Sequence, residues 1–387
     1  MVVPVGKLPV ELLLKTFALA VSLGNGEVRP FGPGHPAYQS LLLSHVCSFW
    51  RQIVIGSPRL WAVGLVDVRF DAKKMRKDYP GFLQTLLDRS APLPISISFT
   101  NPMESITQYT PSVEALVQVV APTVARWKHL ELDESSHGMW RDIDILRMPW
   151  GQLAHLTLEE SVPTVCLSIL LQCKNITSAT LTTCGFDTSH VVDAPVTTLP
   201  LLKALKIHFE EGENVDVMHL FSTSLGLPAL QTLDLAFDDN IVWATHEFSA
   251  FQMRAPGITR ISLRFCPLTS QELVTLLRLA PSLTALKLWL CLNCINDELL
   301  RALTRSEETG AQRLVPQLEE IDWHFVGQNS HIGAFEAVIR SRGWIDNVAP
   351  PKLKRVTIGS NSFFDLIPDG WMQDLVGQGL ELRISSS

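Results

Sequence analysis

The chain has 387 residues, of which 46% are hydrophobic and 18% charged, with a net charge of −7. So small a charged fraction excludes a largely disordered chain, and the length suits one long repeat domain or two to three compact ones. A pI near 5.9 gives no basis for general affinity to nucleic acid or to an anionic membrane.

The first predicted element is an amphipathic helix beginning at Leu8, LPVELLLKTFALA, with Leu12, Leu13, Phe17 and Ala20 near helical spacing. Pro9 falls in its first turn, where the missing N–H would be unpaired anyway. The stretch from Leu12 to Leu23 is as apolar as a secretion signal. Lys15 lies inside it and Glu11 at its start, where such a segment is uncharged. A Gly/Pro-rich stretch from Gly24 to Pro36 must be loop. A second apolar run, LLLSHVCSFWRQIVIGSPRLW from Leu41 to Trp61, completes a helical module at residues 1–70. No window reaches the uncharged apolar length of a membrane span.

Residues 71–125 are expected to hold connecting helices and a first repeat, whose strand is the alternating run from Pro94 to Phe99. From residue 126 to 387 one template recurs: apolar, Pro, any, apolar, two of any kind, apolar, any, apolar. It reads LPLLKALKI from Leu199, LPALQTLDL from Leu227, APGITRISL from Ala255, APSLTALKL from Ala280, VPQLEEIDW from Val315 and PPKLKRVTI from Pro350. Looser copies are WKHLEL from Trp127, LAHLTL from Leu153 and ITSATL from Ile176. The first anchors are spaced by 26, 23, 26, 28, 28, 25, 35 and 35 residues, mostly within the leucine-rich-repeat range.

Each copy ends in a short alternating strand whose apolar side chains face one way. One repeat cannot bury that face, but a parallel stack can. Helical stripes fill the intervals: TSQELVTLLRLA from Thr269, NDELLRALTRS capped by Asn296, and HIGAFEAVIRS from His331. Three positions after the last strand anchor stand Cys184, Cys266, Cys291 and Asn361, with Ser135 and Ser161 in the same slot, as the repeat motif requires. Trp371 and Leu375 in the tail are candidates to cap the last repeat. Seven cysteines, odd in number and scattered, do not read as a disulfide framework. A reducing compartment, cytosol or nucleus, is expected.

Leu8-Pro9, Glu11-Leu12 and Phe17, then Val46-Cys47, Trp50-Arg51 and Pro58-x-Leu60-Trp61, stand in the order of the F-box motif. The chain resembles the F-box-like proteins abundant in mushroom-forming fungi. Those also tend to carry a stretch like FLQTLLDRSAPLPISISF from Phe82 and a strand like RWKHLEL from Arg126. The loop from about Gly24 to Gln39 is longer than in a typical F-box. The resemblance implies a substrate adaptor without catalysis. Its helices would dock on the Skp-family adaptor of a cullin-RING ubiquitin ligase through Leu8, Pro9, Leu12, Phe17, Val46 and Trp50, some contacting and some supporting. The repeats would hold a protein target.

On the strand-lined face of a solenoid, residues between the apolar anchors point outward. Here they include His208, Asp234, Arg264, Lys287, Trp289, Asp322 and His324, with Trp289 the strongest candidate anchor. Acidic pairs Glu159-Glu160, Glu210-Glu211 and Asp238-Asp239 follow three strands and read foremost as solvated loops.

Enzyme signatures are missing: no G-x-S-x-G, no P-loop and no H-E-x-x-H, since Ala250 stands where His246-Glu247 would need a histidine. Cys291 and Cys294 form a C-x-x-C with no second pair at zinc spacing. No cofactor or metal is expected. The expected fold is α/β: a short N-terminal F-box-like helical module, then an irregular leucine-rich-repeat solenoid with a parallel strand ladder. Two functions remain: a ligase substrate adaptor, or a repeat scaffold whose N-terminal helices only cap the solenoid. An exposed apolar face on residues 8–61 favours the first.

Overall fold

The computed structural model describes residues 8–22, 36–69, 79–100, 111–133, 148–159, 163–183, 198–210, 221, 225–238, 242–304, 314–324, 332–342, 353–359 and 369–385. They form two compact units, one of residues 1–161 and 168–176, the other of residues 162–167 and 177–387.

The first unit opens with three helices, α1 (Val10–Ser22), α2 (Pro36–Ser44) and α3 (Ser48–Ile55), then a 3-10 turn at Pro58–Leu60. Leu13, Phe17 and Val21 recur every four residues on α1 and meet Val54, Leu60 and Trp61 in one core. The Trp61 indole N–H donates to the Val54 carbonyl at 2.8 Å, so its one polar atom is satisfied inside. Cys47 caps α3, its sulfur accepting from the Trp50 N–H at 3.4 Å. The expected loop as far as Gln39 ends sooner, because Pro36 already begins α2 and its fixed φ suits a first helical turn. The rest of that segment lies outside the described residues.

Four parallel strands follow in this unit: β1 (Leu65–Arg69), β2 (Ile95–Thr100), β3 (Trp127–Leu132) and β4 (His155–Leu158). The strand expected at residues 94–99 is β2. β1 was not anticipated, although Val63, Val66 and Val68 keep the spacing of the repeat anchors.

The second unit stacks eight strands in chain order: β5 (Ser178–Thr183), β6 (Ala204–Phe209), β7 (Thr232–Phe237), β8 (Arg260–Arg264), β9 (Ala285–Trp289), β10 (Glu320–His324), β11 (Arg355–Gly359) and β12 (Glu381–Ser385). All pair in parallel, as a leucine-rich-repeat ladder must. The two 35-residue intervals leave the register intact, with Leu286, Ile321 and Val356 in one row. Apolar anchors such as Leu205, Leu233, Ile261, Leu286 and Ile321 are buried, each contributing about 1.5–3 kcal/mol. Phe209, Phe221, Phe237, Trp243, Phe248 and Phe251 fill the core as one aromatic cluster.

The helices of the second unit begin where their caps dictate. Thr269 and Glu272 form a reciprocal capping box before Ser270–Arg278. The Asn296 carboxamide accepts from the Glu298 and Leu299 N–H groups before Asp297–Leu303. Asn296→Ala should therefore cost about 1 kcal/mol, read as a lower urea midpoint. An unchanged midpoint would show that this cap adds nothing to stability. Cys266 and Cys291 occupy their expected slots and are buried, and the Cys291 thiol donates to the Leu263 carbonyl at 3.4 Å. Ser135, Ser161, Cys184 and Asn361 lie outside the described residues.

One recurring device had no counterpart in the sequence reading. Arg126 donates to the carbonyls of Leu93 and Leu87 and to the Ser90 hydroxyl. Arg254 donates to Leu225 and Phe221, and Arg342 to Val315, Leu303 and Leu314. Each guanidinium reaches back 27 to 39 residues and pairs carbonyls left open where a preceding helix or turn ends.

Candidate interaction surfaces

The three N-terminal helices bury unusually little of what they carry. α1 reads VELLLKTFALAVS, yet only Leu13, Phe17 and Val21 are buried. Val10, Leu12 and Leu19 remain exposed on it, Leu12 by 48% and Leu19 by 64%. Leu42, Val46, Phe49 and Ile55 are exposed on and between α2 and α3, Val46 by 61%. These seven make up half of the fourteen large apolar side chains left exposed among the described residues. They fall within 46 residues of chain, so this is a concentration and not the usual scatter.

The residues proposed for docking divide by burial. Pro9, Leu12 and Val46 are exposed, Leu8 and Trp50 are half-buried, and Phe17 is core. The Trp50 ring packs on Phe17 with centroids 4.6 Å apart. Phe17 can therefore only support a docking face. Leu19, seven residues after Leu12 and so on the same side of α1, was missed although its spacing announced it.

On the ladder of the second unit, six of the seven outward-facing candidates are brought together. Asp234 and Arg264 approach at 3.4 Å, and Lys287 and Asp322 form an ion pair at 2.9 Å. The Trp289 and His324 rings stack, 3.7 Å between centroids and 24° between planes. The Lys287 ammonium lies 5.3 Å from the Trp289 centroid. His208 stands in the same row as Arg264, with Ala236 between them, and pairs with Asp238 at 3.0 Å.

His324 departs from the expectation of an exposed position: it is 5% exposed, and its ring lies between Trp289 and Gly359. The next strand allows this only because residue 359 has no side chain. A Cβ there would fall inside contact distance of the His324 ring atoms. Gly359 is thus part of the surface, a strand glycine that lets a ring approach the backbone closely.

Burial lowers the His324 pKa, Asp322 opposing and Lys287 reinforcing. Burial also lowers that of His129, helped by its cross-strand neighbour His155. Both imidazoles then bind a proton more readily in the unfolded chain. Their contribution is complete above the ordinary value of 6.5 and is lost as pH falls below it. Urea midpoints should be lower at about pH 5.5 than at about pH 7.5. A higher midpoint in acid would contradict the assignment.

The hydrogen bond between the two thiols of the C-x-x-C lowers the Cys291 pKa and raises that of Cys294. Burial pushes the Cys173 thiol up to about 12 and the Cys266 thiol well above its usual range. Among the described residues no three His, Cys, Asp or Glu side chains are grouped to hold a metal ion, and no helix is long and apolar enough to cross a membrane.

No protein-family model and no curated protein matches the chain. Among solved structures it is similar to a leucine-rich repeat-containing protein, LegL7, from Legionella pneumophila. That match has 12% identity and a TM-score of 0.40, and covers 84% of this chain and 91% of the other. Nothing further follows from a likeness at that level.

Proposed function

We propose that this protein is a non-catalytic adaptor that bridges two proteins. Its N-terminal helices dock one partner through an apolar face, and its strand ladder holds another. The observation that carries this reading is the exposed apolar set Val10, Leu12, Leu19, Leu42, Val46, Phe49 and Ile55. A helix apolar on most of its sides is ordinarily covered. A module serving only as an end cap would turn its apolar side chains inward and present polar ones to water.

The F-box resemblance of Leu8-Pro9, Leu12, Phe17, Val46 and Trp50 supplies the chemistry of the first partner: a Skp-family adaptor of a cullin-RING ligase. The second partner would be a protein target for ubiquitin transfer. On the ladder the half-buried Trp289, flanked by Arg264 and Lys287, gives an aromatic and cationic anchor of the sort that concentrates binding energy. Asp234 and Asp322 offset those charges, so this surface selects by shape as much as by net charge.

Size-exclusion chromatography of the purified chain with a Skp-family adaptor tests the first half. Co-elution as a one-to-one complex is expected. Separate elution of two folded proteins would remove the ligase reading and leave a repeat scaffold with a helical cap.

A further inference from the structure

The first unit carries a polar recess with a cavity volume of about 440 Å³. Its walls are Arg59 from the turn after α3, Gly64 just before β1, Leu93 and Pro94 leading into β2, Ser96 on β2 and Lys128 on β3. No acidic side chain lines it. Two cations of like sign therefore share one concavity, and among the described residues neither makes an ion pair. Like charges repel, and nearby carboxylates commonly neutralise such a pair. Among the described residues no such carboxylate lines the recess.

The backbone is arranged to place them. Ile95 pairs with Trp127 and Ser96 with His129, so Lys128 is the extra residue of a β-bulge. A bulge re-aims the side chain that it carries, and bulges recur beside binding sites. Gly64 has φ +80, and a Cβ there would stand 3.0 Å from the Pro36 ring, so this wall admits only glycine without strain. Arg126 fixes the opposite wall by donating to the Leu93 carbonyl at 2.9 Å and to Ser90 and Leu87 behind it. Its own guanidinium is half-buried behind that wall, where the Asp88 carboxylate offsets its charge.

We infer that this recess binds a phosphate monoester. Arg59 supplies a planar fork that suits two phosphate oxygens, Lys128 a point charge, and Ser96 a hydroxyl donor. The cavity exceeds a phosphate group alone and leaves space for the small group that bears it. That group is either a free small molecule or the side chain of a phosphorylated peptide. The site is independent of partner docking by the N-terminal helices.

The test is an NMR titration of the full chain with inorganic phosphate, then with N-acetyl-phosphoserine amide, against sodium chloride at matched ionic strength. Saturable shifts at Ser96 and Lys128, absent with chloride, are expected. Arg59→Ala and Lys128→Ala should each weaken binding about tenfold. Both side chains are exposed, so thermal melts of the variants should match the parent and separate lost binding from lost folding. Tighter binding of the phosphoserine amide would assign the site to phosphorylated side chains. Equal binding of the two would assign it to free phosphate compounds. Shifts that match those with chloride, or that persist in the double variant, would overturn the inference.

Discussion

Replacing Arg342 by methionine should lower the stability of the second unit by about 3 kcal/mol. Arg342 is 9% exposed, and its guanidinium donates to three carbonyls at 2.7 to 3.0 Å. Methionine has a similar reach and fills similar volume, so the loss is one of donors and not of packing. Two buried carbonyls and the part-buried one of Leu314 would be left without this partner, a buried one at about 1–3 kcal/mol before relaxation. One of them belongs to Val315, held at φ 42, a left-handed conformation that a β-branched residue rarely adopts. Without Arg342 that turn is free to relax, taking the entry to β10 with it. Urea denaturation read by hydrogen exchange of the β10 amides is the check. A change under about 0.5 kcal/mol would mean that the guanidinium is incidental.

Gly359→Ala is the second large effect. The added methyl would meet Nδ1, Cε1 and Cγ of His324, so either the ring or β11 must shift. Overpacking of this kind costs about 1–3 kcal/mol, and loss of the Trp289–His324 stack adds about 0.5–1.5 kcal/mol. The variant should be less stable by about 1.5–4.5 kcal/mol in sum. Its Trp289 signal should also shift, because one face of that ring loses its cover. Near-ultraviolet circular dichroism with a Trp289→Phe reference would isolate the change. An unaltered spectrum with full stability would show that His324 does not depend on the bare backbone at residue 359.

Much of this architecture was legible because two periods dominate the chain. The L-x-x-L-x-L copies located β3 through β11, and the alternating residues 94–99 located β2. Thr269 and Asn296 marked helix starts because a side-chain acceptor before an apolar stripe has few other uses. β1 and β12 escaped because each departs from the template: Val63, Val66 and Val68 stand in for leucines at β1, and Gly379 occupies the first-anchor position before β12. Leu375 is buried, while the Trp371 side chain lies outside the described residues. The arginine clamps escaped for another reason. Apart from the Ser90 hydroxyl their partners are carbonyls, which every residue has, so no pattern of side chains announces them.

The ladder surface was legible in membership but not in burial. Period two identified which residues leave the core, and the register then set Trp289 beside His324. That one would cover the other depended on a glycine in the next strand. On the N-terminal helices the motif named Leu12 and Val46, but only the packing of Leu13, Phe17 and Val21 showed how much apolar surface stays uncovered.

The most direct measurement is titration calorimetry of the chain with a Skp-family adaptor, comparing wild type, a Leu12→Asp, Val46→Asp variant and Trp289→Ala. Both aspartates replace exposed side chains, so the variant should fold as wild type does. The account predicts binding by wild type, at least about a hundredfold loss in the aspartate variant, and no change in Trp289→Ala. No binding by folded wild type, or equal binding by the aspartate variant, would contradict it.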